Sequence, residues 1–245
     1  MNLSEYLIFF VCSSLVKNIN GLEDLSLDHP EESGEYFEGD IKQFHGRSGV
    51  GDLTFRWQNG IIPYEISADV GSPDLNIIKA AMHVFHQKTC IRFVPRKISH
   101  KDYIFITNKN NGCWSYIGRI KGKQEINLHT PECTGKVGTV LHELMHSTGF
   151  SHEQSRRERD DYIGINYENI RQGREVNFHK LDSTNDESFG VPYDYDSIMH
   201  YSAYAFSKNS KPTIFAKKST TANIGQRVYL SEGDIQKLNA MYKCG

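Results

Sequence analysis

His142-Glu143-Leu144-Met145-His146-Ser147-Thr148-Gly149-Phe150-Ser151-His152 sets three imidazoles and one carboxylate at intervals suited to a single divalent cation. On a helix, His142 and His146 stand four residues apart, so their rings lie one above the other on one face and can share a metal. Gly149 then ends the helix, because a residue without Cβ tolerates the left-handed conformation that turns the chain back, and His152 can return as a third ligand. Three neutral nitrogen ligands are the donor set of a catalytic zinc site, which leaves a fourth position for water. Zinc lowers the pKa of such a water to about 7, and Glu143, next to the first ligand, is placed to take its proton. The chemistry implied is hydrolysis of a peptide carbonyl. Val137, Val140, Leu141, Leu144 and Met145 recur at helical spacing, so the same helix also has a core flank.

H-E-x-x-H alone is a short pattern. Its extension to H-E-x-x-H-x-x-G-x-x-H, followed by a methionine turn at Ser197-Ile198-Met199-His200-Tyr201, is the metzincin signature. Three further stretches agree with it in order: R-W-x-x-G-I-I-P-Y from Arg56 to Tyr64, C-I-R-F-V-P-R from Cys90 to Arg96, and G-C-W-S-Y-I-G-R from Gly112 to Arg119. With them the chain closely resembles the astacin family of metzincin endopeptidases, from about Arg56 to Cys244. The resemblance implies that His142, His146 and His152 hold one Zn2+ per chain and that Glu143 is the general base. Met199 would lie as a soft apolar floor beneath the metal. Tyr201 matches the family tyrosine that ligates zinc at rest and swings away to donate a hydrogen bond to the developing oxyanion. Glu153 matches a glutamate that anchors the new amino terminus after activation.

The chain of 245 residues, 38% hydrophobic and 11% aromatic, has room for one large domain or two small lobes. No apolar run approaches the roughly 20 residues that span a bilayer. Tyr6 to Val11 reads as the core of a secretory signal occupying residues 1–16. With Cys12 assigned to that signal, Cys90, Cys113, Cys133 and Cys244 remain, and four cysteines allow three pairings among which sequence does not choose. The family resemblance favours Cys90 with Cys244 and Cys113 with Cys133. On the chain-entropy account such loops stabilise by on the order of 5 and 3 kcal/mol, and these bonds belong outside the cytosol.

Charge divides the chain further. Residues 1–47 hold three Lys and Arg against nine Asp and Glu, whereas residues 48–245 hold 25 against 21. The acidic stretch is poor in large aliphatics and cannot build its own core, so residues 17–47 read as an inhibitory pro-segment drawn to a cationic catalytic domain. Phe37-Glu38-Gly39-Asp40 resembles the F-x-G-D motif with which astacin pro-segments place an aspartate on zinc, which makes Asp40 the expected latch. Arg47-Ser48, flanked by glycine, is the expected activation site, with the peptidase domain at 48–245.

Strands are predicted at Ile61 to Ile66, Cys90 to Pro95, Tyr103 to Thr107, Gly112 to Ile117 and Glu125 to Leu128. A helix from Pro73, capped by Ser72, follows from Leu75, Ile78, Met82 and Phe85, and its His83 and His86 read as structural residues. One strand, around Trp114 to Tyr116, should be an edge to which an extended substrate adds antiparallel. Arg156, Arg157 and Arg159 are interrupted by Glu158 and closed by Asp160 and Asp161, which suits local ion pairs and not a nucleic-acid stripe. A last helix is capped by Ser231 and buried through Ile235, Leu238 and Met241; no repeat follows it, so no C-terminal module is expected.

The expected architecture is α+β and zincin-like. Two lobes, about 48–149 and 150–245, would meet at a zinc cleft. The first would carry a mixed, mostly parallel sheet, a backing helix and the active-site helix; the second would be loop-rich and end in a helix. The expected protein is a secreted, monomeric zinc endopeptidase, made as a zymogen, cut by an activating protease and acting on proteins or peptides, with neither nucleic acid nor membrane as partner. The alternative is a catalytically silent, zinc-containing binding or toxin-like protein. An intact Glu143 argues against it, since a structural site needs no base and closes its fourth position. An amidase acting on small substrates is a second rival, separated by internal cleavage of long polypeptides.

Overall fold

The computed structural model describes residues 29–43, 55–181 and 188–245. The signal at 1–16, the Arg47-Ser48 bond and the polar run at 182–187 lie outside the described residues.

Five strands form the main sheet: β1 (Ile61–Ile66), β2 (Arg92–Pro95), β3 (Tyr103–Thr107), β4 (Cys113–Trp114) and β5 (Lys123–Leu128), in the order β2-β1-β3-β5-β4. β1 runs parallel to β2 and β3, β3 runs parallel to β5, and β4 alone is antiparallel, at the edge beside β5. The sheet is therefore mixed and mostly parallel. Pro63 lacks a donor, yet it sits in a strand with neighbours on both sides. β2 pairs Ile61 to Tyr64 whereas β3 pairs Tyr64 to Ile66, so Pro63 has a partner on the β2 side only. The predicted edge at residues 112–117 shortens to two paired residues, because beyond Trp114 the neighbouring strand is the segment around Ile41, which bridges Ser115.

Helix α1 (Ser72–Lys88) begins at a Gly71 cap, with Pro73 in its first turn. Ser72 is thus the first helical residue and makes no capping hydrogen bond, a correction to the expected cap. α1 buries Ile78, Ala81, Met82 and Phe85 and packs on β2 and on α2 (Val137–Thr148). His86 is structural: its Nε2 accepts from Phe93 N–H at 2.9 Å, and the ring stacks on Phe93.

α2 is buried along nearly its whole length, and Gly149, at φ 120°, ends it. The last helix, α3 (Glu232–Tyr242), starts with a reciprocal capping box between Ser231 and Asp234.

One core gathers the sheet, α1 and α2 with Ile198, Met199, Leu238 and Met241. α3 follows the loop-rich half in sequence but packs into this first core, and the disulfide Cys90–Cys244 ties its end to the start of β2. A second bond, Cys113–Cys133, clamps the edge strand, so the pairing agrees with the resemblance. A separate cluster of Ile163, Ile170, Phe178, Tyr193, Tyr201, Ala205, Phe206 and Ile214 builds the other lobe around the pair β6 (Ile163–Ile165) and β7 (Ile214–Ala216).

Candidate metal centre

α2 carries His142 and His146 on one face, and the turn at Gly149 returns His152 to meet them. The three Nε2 atoms converge, His142 lying 3.1 Å from His146 and 3.2 Å from His152. Asp40 Oδ2 closes the fourth corner at 2.9, 3.3 and 3.6 Å from the Nε2 atoms of His142, His152 and His146. All four side chains are buried.

These separations fit a metal and not a hydrogen-bond network. Each outer nitrogen is committed as a donor: His142 Nδ1 to Ile198 O at 2.8 Å, His146 Nδ1 to Phe150 O at 2.7 Å, and His152 Nδ1 to Glu38 Oε2 at 2.6 Å. A neutral imidazole that donates at Nδ1 presents a lone pair at Nε2, so three lone pairs and a carboxylate oxygen face one point. Only a cation satisfies that arrangement. A tetrahedral zinc at about 2.0–2.1 Å from each nitrogen separates its ligands by about 3.3 Å, close to the spacing found. The residues present therefore fit one zinc ion.

Charge agrees with this. Burial, aided by Arg227, pushes the His142 imidazole down to about 3, keeping it neutral. His152 differs, because burial is outweighed by Asp40 and Glu38, which push it up to about 10. The cluster thus demands one positive charge, as a proton or as a metal in its place.

Glu143 is fully buried, and among the described residues neither of its carboxylate oxygens has a hydrogen-bond partner. Burial, then Asp40 and Glu31, hold its pKa well above the usual carboxylate range. Met199 is fully buried in the first core, and its carbonyl accepts from Glu153 N–H at 3.0 Å. Tyr201 packs its ring 4.7 Å from His152, and its phenol donates to Glu38 O at 2.7 Å. Glu153 accepts from Lys237 at 2.6 Å and from Arg156 at 2.8 Å, so its carboxylate already has two cationic partners. Arg156 also pairs with Glu158, and Arg159 with Asp160, as local ion pairs.

Four functional groups escaped sequence reasoning. Glu38 orients His152 and accepts from Ser155 Oγ at 2.9 Å. Glu31 meets Arg227 at 2.6 Å, and Glu32 accepts from Ser202 Oγ at 2.7 Å; both acids are buried. Asp234 holds the methionine turn, accepting from Ser197 Oγ at 2.6 Å and Ile198 N–H at 2.8 Å. Only Asp234 carried a sequence signal, three residues after the Ser231 cap, and that signal spoke of the helix alone. Gly39 has a steric reason: at φ 91°, an added Cβ would lie 2.8 Å from the Glu31 carbonyl oxygen.

Three imidazoles whose Nε2 atoms converge at metal-binding separation, beside a buried carboxylate with no hydrogen-bond partner among the described residues, are the equipment of a metal-dependent hydrolase. In this fold it makes the chain a zinc metalloendopeptidase of the metzincin class. The model for the Astacin family of peptidases matches residues 50–243, and the chain belongs to that family. It is 42% identical to zinc metalloproteinase nas-4 of Caenorhabditis elegans, over 86% of this chain and 70% of the relative. It is 42% identical to Protein SpAN of Strongylocentrotus purpuratus over 77% of this chain, but spans only 31% of that protein. Among solved structures it resembles high choriolytic enzyme 1, a hatching enzyme zinc-protease of Oryzias latipes. That match has a TM-score of 0.73 and 37% identity, covering 84% of this chain and 100% of the other.

Proposed function

We propose that this chain is the secreted zymogen of a zinc endopeptidase, held shut by residues before about position 48 and opened by a protease that cuts near Arg47-Ser48. The observation that carries the reading is the position of Asp40 Oδ2, 2.9 Å from His142 Nε2, at the corner a catalytic water needs. Asp40 arrives on a segment whose Ile41 bridges Ser115 in the parallel sense, with Ser115 N–H donating to Asp40 O at 2.9 Å. A substrate added antiparallel to β4 would run the other way, so the seated segment offers its peptide groups in reverse.

When bound, zinc supplies a Lewis acid and a water of pKa about 7. His142, His146 and His152 are its ligands. Glu143 accepts the proton of the attacking water and returns it to the leaving amine, in a pocket whose low dielectric makes the transfer effective. Tyr201, released from Glu38 once the segment departs, donates its phenol proton toward the developing oxyanion. Met199 shapes the floor, and Glu153 takes the new amino terminus into its cationic network. Ser115 pairs with the substrate backbone. Secretion is supported by the two disulfides and the apolar Tyr6 to Val11 run; no helix among the described residues is long and apolar enough to cross a membrane. The enzyme acts as a monomer on protein or peptide substrates.

The test is casein cleavage before and after limited cutting at Arg47, with and without chelator. Activity that appears on cutting, vanishes with chelator and returns with zinc supports the reading. An uncut chain as active as the cut one overturns the zymogen, and cleavage indifferent to chelator overturns the zinc role.

A further inference from the structure

Lys42 sits two residues beyond the latch, its N–H donating to Ser115 O at 2.8 Å. Its Nζ lies 4.1 Å over the centroid of Trp114, 5.5 Å from that of Tyr116 and 5.9 Å from that of Tyr36. The three rings form a cage: Tyr36 tilts onto Trp114 at 5.1 Å, and Tyr116 meets it edge-on at 6.3 Å. Trp114 is locked in place, since its indole N–H donates to Asn111 Oδ1 at 3.1 Å and the side chain is 1% exposed. Lys109 also approaches Trp114, at 6.0 Å, but its charge is taken by Glu125 at 2.6 Å. Trp114 and Tyr116 lie within the family-matched region, whereas Lys42 and Tyr36 lie before it. Loss of the pro-segment therefore uncovers a pair of aromatic faces at the sheet edge where substrate adds.

We propose that Trp114 and Tyr116 form a substrate subsite for a lysine or arginine side chain, which Lys42 fills in the uncut chain. The negative faces of the two rings attract a cation, and partial burial strengthens that attraction. This inference rests on the endopeptidase reading. Lys42 follows Asp40 along a path parallel to β4, so in a substrate running antiparallel the basic residue falls on the amino-terminal side of the cleaved bond, by about two or three residues at strand rise.

The experiment compares kcat/KM of the cut enzyme on matched fluorogenic peptides carrying either lysine or Nε-acetyl-lysine at those positions. The wild type should prefer lysine by about 5-fold, and Trp114→Leu and Tyr116→Leu should each bring the ratio close to one. Tyr116 is only half-buried, so its variant keeps the test open should Trp114→Leu fail to fold. Equal rates on the two peptides, or an undiminished ratio in a folded variant, overturn the subsite and leave the endopeptidase reading standing. Cleavage of neither peptide overturns both.

Discussion

Glu31 and Arg227 form an ion pair sealed from water, with Oε1 2.6 Å from Nε and the two side chains 0% and 1% exposed. The acid lies before the family-matched region and the guanidinium inside it. Arg227 holds the Glu31 carboxyl far below the usual carboxylate range despite full burial, and donates also to the His200 carbonyl at 3.1 Å. Breaking one side of such a pair leaves an uncompensated buried charge. Glu31→Ala should destabilise the uncut chain by about 3 kcal/mol in urea unfolding. An unchanged midpoint would mean that water already screens Arg227.

Asp40 is not the only contact holding the segment. Glu31, Glu32 and Glu38 hold on separately, through Arg227, Ser202 and His152. Asp40→Ala should therefore wake the uncut chain only in part. Losing about 2 kcal/mol of charged hydrogen bonding raises the open population about 30-fold. Casein cleavage by the uncut variant should stay below that of the cut enzyme, and an inert uncut variant would count against the latch.

Glu143→Ala should separate binding from chemistry. The ligands are untouched, so the cut variant should retain one zinc per chain by elemental analysis while its rate falls about a thousandfold. Full activity would remove Glu143 from its role as base.

Glu38 predicts that the uncut chain should hold zinc more tightly than the cut one. His142 and His146 are oriented by main-chain carbonyls, but His152 depends on Glu38, which belongs to the acidic segment. Glu38→Gln should weaken zinc retention by the uncut chain about 10- to 100-fold in competition with a chelator. Equal retention by both forms would show that His152 finds an equivalent partner.

His86 predicts a pH effect far from the metal. Burial, then Arg92, lowers its pKa below 6.5, and its Nε2 must be proton-free to accept from Phe93 N–H. Below pH 6.5 the unfolded chain binds a proton that the folded chain refuses, so stability falls as pH drops from 6.5 toward the folded value. His86→Gln, which keeps an acceptor but does not titrate, should flatten that part of a stability–pH curve. A curve of unchanged slope there would assign the effect elsewhere.

Groups tied to local periodicity were legible in the sequence. His142, His146, Glu143 and the Gly149 break follow from helix geometry within one short stretch, and β3 was read to the residue. The strand at 112–117 was read too long, since its further pairing is made by the distant segment around Ile41. Acidic residues told less: Glu31 and Glu38 have the same local signature in a solvated linker as in a sealed ion pair.

Sequence by itself determined the spacing of the three histidines, the helix that carries two of them, the four cysteines from Cys90 onward, and the acidic character of the leading segment. These depend on spacing along the chain and on side-chain chemistry. The tertiary structure alone decided that Glu38 orients His152, that Lys42 lies over Trp114, and that α3 joins the first core. Each of those joins residues far apart in the chain, and such meetings are fixed by the path of the whole polypeptide and the exclusion of water between its layers, which no local pattern encodes.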